Sequence, residues 1–405
     1  MFPKLFLRRH EDRRLKDGHQ WIFSNEIDGI NGTVENGDLI DVYDSAENFF
    51  GTGFYNKNSL IAVRLLSHSR FDDLYTLFRE KILNAYKLRQ TFYPGLESCR
   101  LVFSESDFLP GLIIDKYNNT FVLQVYSFGM QKNIELIIRI LKEDFSAENI
   151  FTKHEIYFRK LEGLPEEDEV YLGEMKKEVI TDGSIKYTVD FNKGQKTGFY
   201  FDQRDNRFFI EKIVKGKNVL DAFCNSGGFG LHAVKAGAAS VLFVDASETE
   251  IENAKKNFKT NRLKGEAEYL VEDVFDCLYR MVGEQKKFDV VLLDPPAFAK
   301  SKKTVAIARK GYEKLNKRAL QLIEDGFLIT SSCSHHIFRD EFFQIIIDAS
   351  RKSKRKVQLV YFNGASLDHP ELPAMPETTY LKFAVFKVTH EKEEIIADDS
   401  KVEEA

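Results

Sequence analysis

Asn218-Val-Leu-Asp-Ala-Phe-Cys-Asn-Ser-Gly-Gly-Phe-Gly230 runs from an apolar strand through a glycine-rich turn into a helix. In an open α/β sheet, ligands bind in the crevice at the C-terminal ends of the strands. Gly227 and Gly228 let the backbone approach a ligand, and the N-terminus of the following helix favours a carboxylate or phosphate. The spacing is not GxGxxG, and GK[ST] is absent, which argues against a dinucleotide or a nucleoside triphosphate. Asp221, at the strand end, would repel a pyrophosphate and suits the ammonium of an amino acid. Asp221, Phe223, Asn225 and Gly227 are therefore candidate contacts to a ligand with an amino-acid end. Cys224, inside the turn, reads as packing against that ligand.

Downstream, strands and helices alternate. Strands are expected at 240–245, 268–272, 290–293 and 326–331, with helices at 230–236 and 248–261, which predicts a parallel sheet covered on both faces. The second strand ends in Asp245-Ala246, where an acid can grip both hydroxyls of a ribose. Asp273, after the third strand, suits an adenine amino group, with Val274 as an apolar neighbour to the ring. Each acid alone also suits a helix cap. An amino-acid end, a ribose and an adenine, read off successive strands, describe S-adenosylmethionine. Two further strands at 356–362 and 380–388 flank a proline-rich loop, whose length suits an antiparallel edge pair.

The fourth strand ends in Asp294-Pro-Pro-Ala-Phe298. Two prolines fix an extended backbone and remove two donors. This loop places Asp294 beside both cofactor and substrate, and Pro295, Pro296 and Phe298 where a planar base enters. The fifth strand ends in Ser331-Ser-Cys-Ser-His-His336. A cysteine in a polar loop at a strand end is placed for covalent catalysis. Methylation of pyrimidine carbon 5 needs it, because a thiolate added at carbon 6 makes carbon 5 enolate-like. Cys333 is the candidate nucleophile, and Asp294 the group that hydrogen-bonds or protonates the ring nitrogen. Two adjacent histidines point in different directions, so at most one of His335 and His336 touches the thiol. Cys99 and Cys277 carry no functional expectation.

Composition sets the outer bounds. The 405 residues are 43% hydrophobic and 30% charged, which fits two or three folded domains and excludes wholesale disorder. No apolar run reaches the ~18–20 residues of a membrane span, and no signal-peptide stretch opens the chain, so a cytoplasmic location is expected. Four scattered cysteines, without CxxC or a Cys/His cluster, predict neither a disulfide framework nor a metal site. The net charge of −5 is carried wholly by residues 391–405, with seven acidic and two basic residues, so an acidic disordered tail is expected. Residues 299–320 hold eight basic residues against Glu313, and 351–356 read RKSKRK, so the net charge does not exclude a polyanion partner.

Toward the N-terminus, residues 1–70 look β-rich, with runs at 39–43, 49–55 and 60–65 between turn residues. Residues 71–192 read as a central α+β domain, with helices at 72–93 and 131–143 and strands between and after them. Residues 193–390 complete the sheet domain. Its entry, 194–207, interleaves glycine, aromatic and charged residues and reads as a cofactor lid, with Phe201, Gln203 and Arg204 toward the methionine end.

RRLKDGHQWIFSNEI, LPGLIIDKY, TGFYFDQRDNR, VLDAFCNSGGF, LLDPPAF, SSCSHH and DHPELPAMPE with TTYLKF occur in this order. In these motifs the chain resembles, over nearly its whole length, the bacterial 23S rRNA cytosine-5 methyltransferases with an N-terminal PUA domain. The resemblance implies a multidomain α/β protein: a PUA domain, a central α+β domain and a Rossmann-like class I methyltransferase domain. It also implies a seven-stranded sheet with an antiparallel last strand, Cys333 as nucleophile, and a homodimer. Ala297 stands where another branch of RNA cytosine methyltransferases has a second cysteine for product release, so another group must promote elimination. PUA domains bind RNA, which gives Arg8, Arg9, Arg13 and Arg14 a use as backbone contacts. Lys300, Lys302 and Lys303 would help to hold an rRNA whose target cytosine has left its stack. Two other readings compete: methylation of an exocyclic base amine, in which Cys333 is dispensable, and a non-catalytic RNA-binding assembly factor.

Overall fold

The computed structural model describes residues 2–192, 197–299 and 301–390. Lys300, the 194–196 part of the expected lid and the acidic tail at 391–405 lie outside the described residues. The chain divides into two compact units, one built from 1–209 with 364–380, the other from 210–363 with the chain from 381 onward. This division differs from the continuous one at 70 and 192 read from composition. Residues 197–209 and the proline-rich segment belong with the first unit because long-range ion pairs hold them there. Arg204 and Arg207 both bind Asp182, and Arg204 also binds Asp368. No helix among the described residues is long and apolar enough to cross a membrane.

The first unit opens with a six-stranded sheet made by Lys4–Leu7, Trp21–Phe23, Ile27–Asn31, Leu39–Tyr43, Phe49–Tyr55 and Ile61–Ser67. The glycine of each Asn-Gly pair, Gly32 and Gly37, has the positive φ such reversals require (101° and 85°). A five-stranded sheet follows, with the amphipathic helices Leu74–Phe92 and Ile134–Phe145 packed on it through Phe78, Ile82, Ile137, Ile140 and Leu141. Asp73 starts the longer helix by accepting from the Thr76 N–H at 2.9 Å. A buried cation joins the six-stranded sheet to the segments around the five-stranded one: Arg64 reaches Glu162, at a helix end, at 2.7 Å and Glu105, in a turn, at 3.4 Å.

In the second unit we label the strands β1 (Asn218–Ala222), β2 (Ser240–Asp245), β3 (Glu266–Val271), β4 (Val290–Leu293), β5 (Asp325–Ser332), β6 (Arg355–Asn363) and β7 (Lys382–His390). The helices are α1 (Gly228–Lys235), α2 (Glu248–Thr260), α3 (Val274–Gly283), α4 (Val305–Gln321) and α5 (Arg339–Ser353). The sheet order is β3-β2-β1-β4-β5-β7-β6, with β7 antiparallel to both its neighbours and the remaining pairs parallel. Val290–Leu293 is buried throughout, as a central strand covered on both faces must be. The order reverses at β1, which has β2 on one side and β4 on the other, and this opens a crevice above the ends of β1 and β4.

Candidate active site

The turn from β1 into α1 is built by close approach. A Cβ on Gly230 would lie 2.1 Å from the Phe243 ring and 2.8 Å from the Asp221 carboxylate. Phe223, Asn225 and Gly227 all adopt left-handed backbone (φ 63°, 50° and 88°), which costs free energy for the two non-glycine residues and marks a shape held by its surroundings. The Asn225 N–H donates to Asp245 Oδ2 at 2.9 Å, and the Cys224 N–H donates to the Val244 carbonyl, so the end of β2 holds the turn.

Asp221 is 1% exposed. Its Oδ2 accepts from the Gly230 N–H at 2.7 Å, while its buried Oδ1 has no hydrogen-bond partner. Burial pushes the acid up to about 7, helped by the Asp294 and Asp245 carboxylates and opposed by the Gly230 N–H. An unpartnered, buried carboxylate oxygen is costly unless a cation completes it. The site therefore fits a ligand that brings an ammonium.

Asp245 accepts from the Ser247 and Asn225 N–H groups, each at 2.9 Å, one on each oxygen, and keeps a second acceptor position on both. Ala246 beside it is exposed. Asp273 caps α3: its Oδ1 accepts from Phe275 and Asp276, so the capping role read as its ordinary alternative is present. Val274 packs into the core of this unit rather than forming a wall of the crevice, because the first turn of α3 turns it inward.

At the other side of the crevice, the Asp294 N–H donates to the Ala222 carbonyl at 3.3 Å, and the Ser331 hydroxyl donates to Asp294 Oδ1. The Cys333 thiol points to the Pro295 carbonyl at 3.9 Å, which brings the cysteine of β5 against the loop after β4. Cys333 is half-exposed, whereas Cys99, Cys224 and Cys277 are buried. Burial pushes the thiols of Cys99 and Cys277 up to about 12 and that of Cys224 well above its ordinary value. Pro296 is exposed, while Phe298 is half-buried between Tyr312 and Phe275, with ring centroids at 4.5 and 5.9 Å. Ser334 is the anchor of the cysteine loop: its Oγ meets the Ala299 N–H at 3.2 Å and the Tyr312 hydroxyl at 3.0 Å, and its carbonyl accepts from Lys382 at 2.7 Å.

Phe201, Gln203 and Arg204 are buried within the first unit. Phe201 packs on Tyr117 and Phe199, Gln203 accepts from Asn206, and the Arg204 guanidinium is spent on Asp182, Asp368 and the Ser98 carbonyl. Also in that unit, Arg8, Arg9 and Arg13 are exposed, while Arg14 is paired with Glu26 at 2.5 Å. In the second unit Lys303 and Lys310 are exposed, and Arg309 is paired with Asp348 at 3.0 Å. Ser331, Tyr312 and Lys382 carry the site without having been singled out. Tyr312 and Lys382 read in the sequence as parts of a basic helix and an edge strand; the packing of α4 brings the first to the Cys333 loop, and the register of β7 on β5 the second.

A sheet of this order, with a glycine-rich turn and a strand-end acid after its first strand, defines a class I methyltransferase fold. Residues 5–68 match the model of a PUA-like domain, and 201–361 match the family described as conserved hypothetical protein 95. The ribosomal RNA large subunit methyltransferase I of Pseudoalteromonas atlantica is 36% identical over 96% of this chain and 100% of its own length. That of Aliivibrio fischeri is 37% identical over 94% of this chain and 98% of its own. SMU.776, assigned as a methyltransferase and crystallised with SAH, superposes with a TM-score of 0.82 over 96% of this chain and 100% of that one; at 22% identity it shows the shared fold. The chain belongs to the ribosomal RNA large subunit methyltransferase I family.

Proposed function

We propose that the chain transfers a methyl group from S-adenosylmethionine to carbon 5 of a cytosine in large-subunit ribosomal RNA, through a covalent bond between Cys333 and carbon 6. The observation that carries this reading is the placement of Cys333: half-exposed at the end of β5 and against Pro295, where the other three cysteines are buried. S-adenosylmethionine, when bound, supplies an electrophilic methyl group. Asp221 would receive its ammonium on the unpartnered Oδ1, Asp245 its ribose hydroxyls and Asp273 its adenine. Phe223, Asn225, Gly227 and Ala246 would shape the pocket from the backbone.

The Cys333 thiolate adds to carbon 6, and carbon 5 becomes the nucleophile that takes the methyl group. A base then removes the carbon-5 proton, the carbon–sulfur bond breaks and the ring double bond returns. Asp294, held by Ser331, would take up a proton and donate it to the ring nitrogen that gathers charge after addition. Pro295, Pro296 and Phe298 would line the entry of the flipped base, which costs about a few kcal/mol to unstack. Lys303 and Lys310, together with Arg8, Arg9 and Arg13, would contact phosphates. A cytosolic homodimer, with an RNA-binding domain at 1–70, a central domain at 71–192 and the methyltransferase domain from 193, belongs to the same reading.

The test is methyl transfer to ribosomal RNA followed by nucleoside mass spectrometry. The wild-type chain is expected to yield 5-methylcytidine and Cys333→Ala none. Transfer to an exocyclic amine that survives Cys333→Ala would overturn the covalent reading.

A further inference from the structure

A buried cation stands beside the candidate nucleophile. The antiparallel register of β5 and β7 sets Lys382 opposite Ser332, the residue before Cys333. The Lys382 Nζ donates to the carbonyl of Ser334, the residue after it, at 2.7 Å. The cysteine is thus bracketed by the two residues that Lys382 pairs with and binds. Lys382 is 5% exposed, and burial pushes its ammonium down to about 8, while the Cys333 charge pulls it back up. A buried ammonium is costly unless its charge is balanced by its surroundings.

The balance is set by the neighbours of Cys333. Asp294 stands at the end of β4, Tyr312 reaches the loop from α4, and His335 and His336 follow on the loop itself. Asp294 precedes Pro295, whose carbonyl meets the thiol, and when ionised it disfavours a second anion there. A thiol starts from about 8.5 and is mostly protonated at neutral pH, whereas a nearby ammonium favours the thiolate. We propose that Lys382 is a positioning residue that offsets Asp294, holds the loop through Ser334 and keeps Cys333 ready as a thiolate. This rests on the covalent role of Cys333.

The test is the pH dependence of iodoacetamide alkylation of Cys333 in the full chain, read peptide by peptide by mass spectrometry so that the buried cysteines are counted separately. The wild-type midpoint is expected below about 8.5. Lys382→Met should raise it by about one pH unit, and Lys382→Arg should restore most of the shift, with thermal midpoint and S-adenosylhomocysteine binding retained. An unmoved midpoint in folded Lys382→Met overturns the proposal. So does a wild-type midpoint at or above the ordinary thiol value, a result that needs no variant to fold. If Cys333→Ala still methylates carbon 5, the covalent reading falls and this proposal with it. If Cys333→Ala is inactive but the Lys382→Met midpoint does not move, this proposal alone falls.

Discussion

Asp221 in the second unit and Asp368 in the first are both wholly buried, yet their surroundings drive them in opposite directions. Asp368 accepts from the Arg204 guanidinium at 3.0 Å, the Arg100 N–H at 3.1 Å and the His369 ring at 2.8 Å. Burial alone would raise its pKa, but His369 and Arg204 outweigh it and hold the carboxyl well below the usual carboxylate range. Asp221 has one backbone N–H, an empty second oxygen, two other carboxylates nearby, and a pKa pushed up to about 7. The difference teaches how to tell a structural acid from a binding one. The first carries its counter-charge within the chain, whereas the second would receive it from the ligand in the function proposed above.

The largest expected effect breaks the structural side of the comparison. Asp368→Asn leaves Arg204 buried with Asp182 as its remaining acid, and should cost about 3–5 kcal/mol in urea unfolding. A cost below about 1 kcal/mol would mean that the network is not what stabilises this unit. Asp221→Asn should do the reverse. The ligand-free chain should be no less stable, while S-adenosylmethionine binding weakens at least about 30-fold, the size of a broken buried charge pair. Unchanged affinity would remove the ammonium from the account.

The same acid predicts a pH dependence. Its folded pKa, about 7, lies above its ordinary 3.8, so its contribution to stability is full below pH 3.8 and is lost as pH rises through 7. Unfolding of the ligand-free chain should show this fall, by at most about 1.4 kcal/mol per pH unit, and Asp221→Asn should flatten it. Cofactor binding near pH 7 should release protons in the wild-type chain only, as read by calorimetry in buffers of different ionisation enthalpy. Gly230→Ala should destabilise the second unit by about 1–3 kcal/mol, because its Cβ meets the Phe243 ring. The smallest effects belong to the surface. Lys303→Ala or Lys310→Ala should leave the melting curve in place and lower the log–log salt slope of RNA binding by about 1 each.

Much of the second unit was legible in the sequence. The strands expected at 240–245 and 290–293 are β2 and β4, and the acids expected at strand ends stand there. Apolar runs interrupted by glycine turns report burial directly, and an acid after such a run is a local signal. What was not legible depends on residues distant in the chain. The 194–207 segment reads as a lid, but nothing nearby reveals that Arg204 is neutralised by Asp182 and Asp368, 22 and 164 residues away. Lys382 is opaque for the same reason: an edge-strand lysine is ordinarily a solvated charge, and only the register of β7 on β5 buries it behind Cys333. The strand-end acids were legible, and the residues packed around the Cys333 loop were not.

The most direct test of the central claim uses ribosomal RNA in which cytosine is replaced by 5-fluorocytosine. Fluorine at carbon 5 does not leave as a proton does, so a thiolate mechanism stalls after methyl transfer with Cys333 still bonded to carbon 6. Incubation with S-adenosylmethionine should give a denaturation-resistant protein–RNA adduct that maps to Cys333 and is absent from Cys333→Ala. Methyl transfer to ordinary RNA with no adduct on the fluorinated RNA would contradict the account.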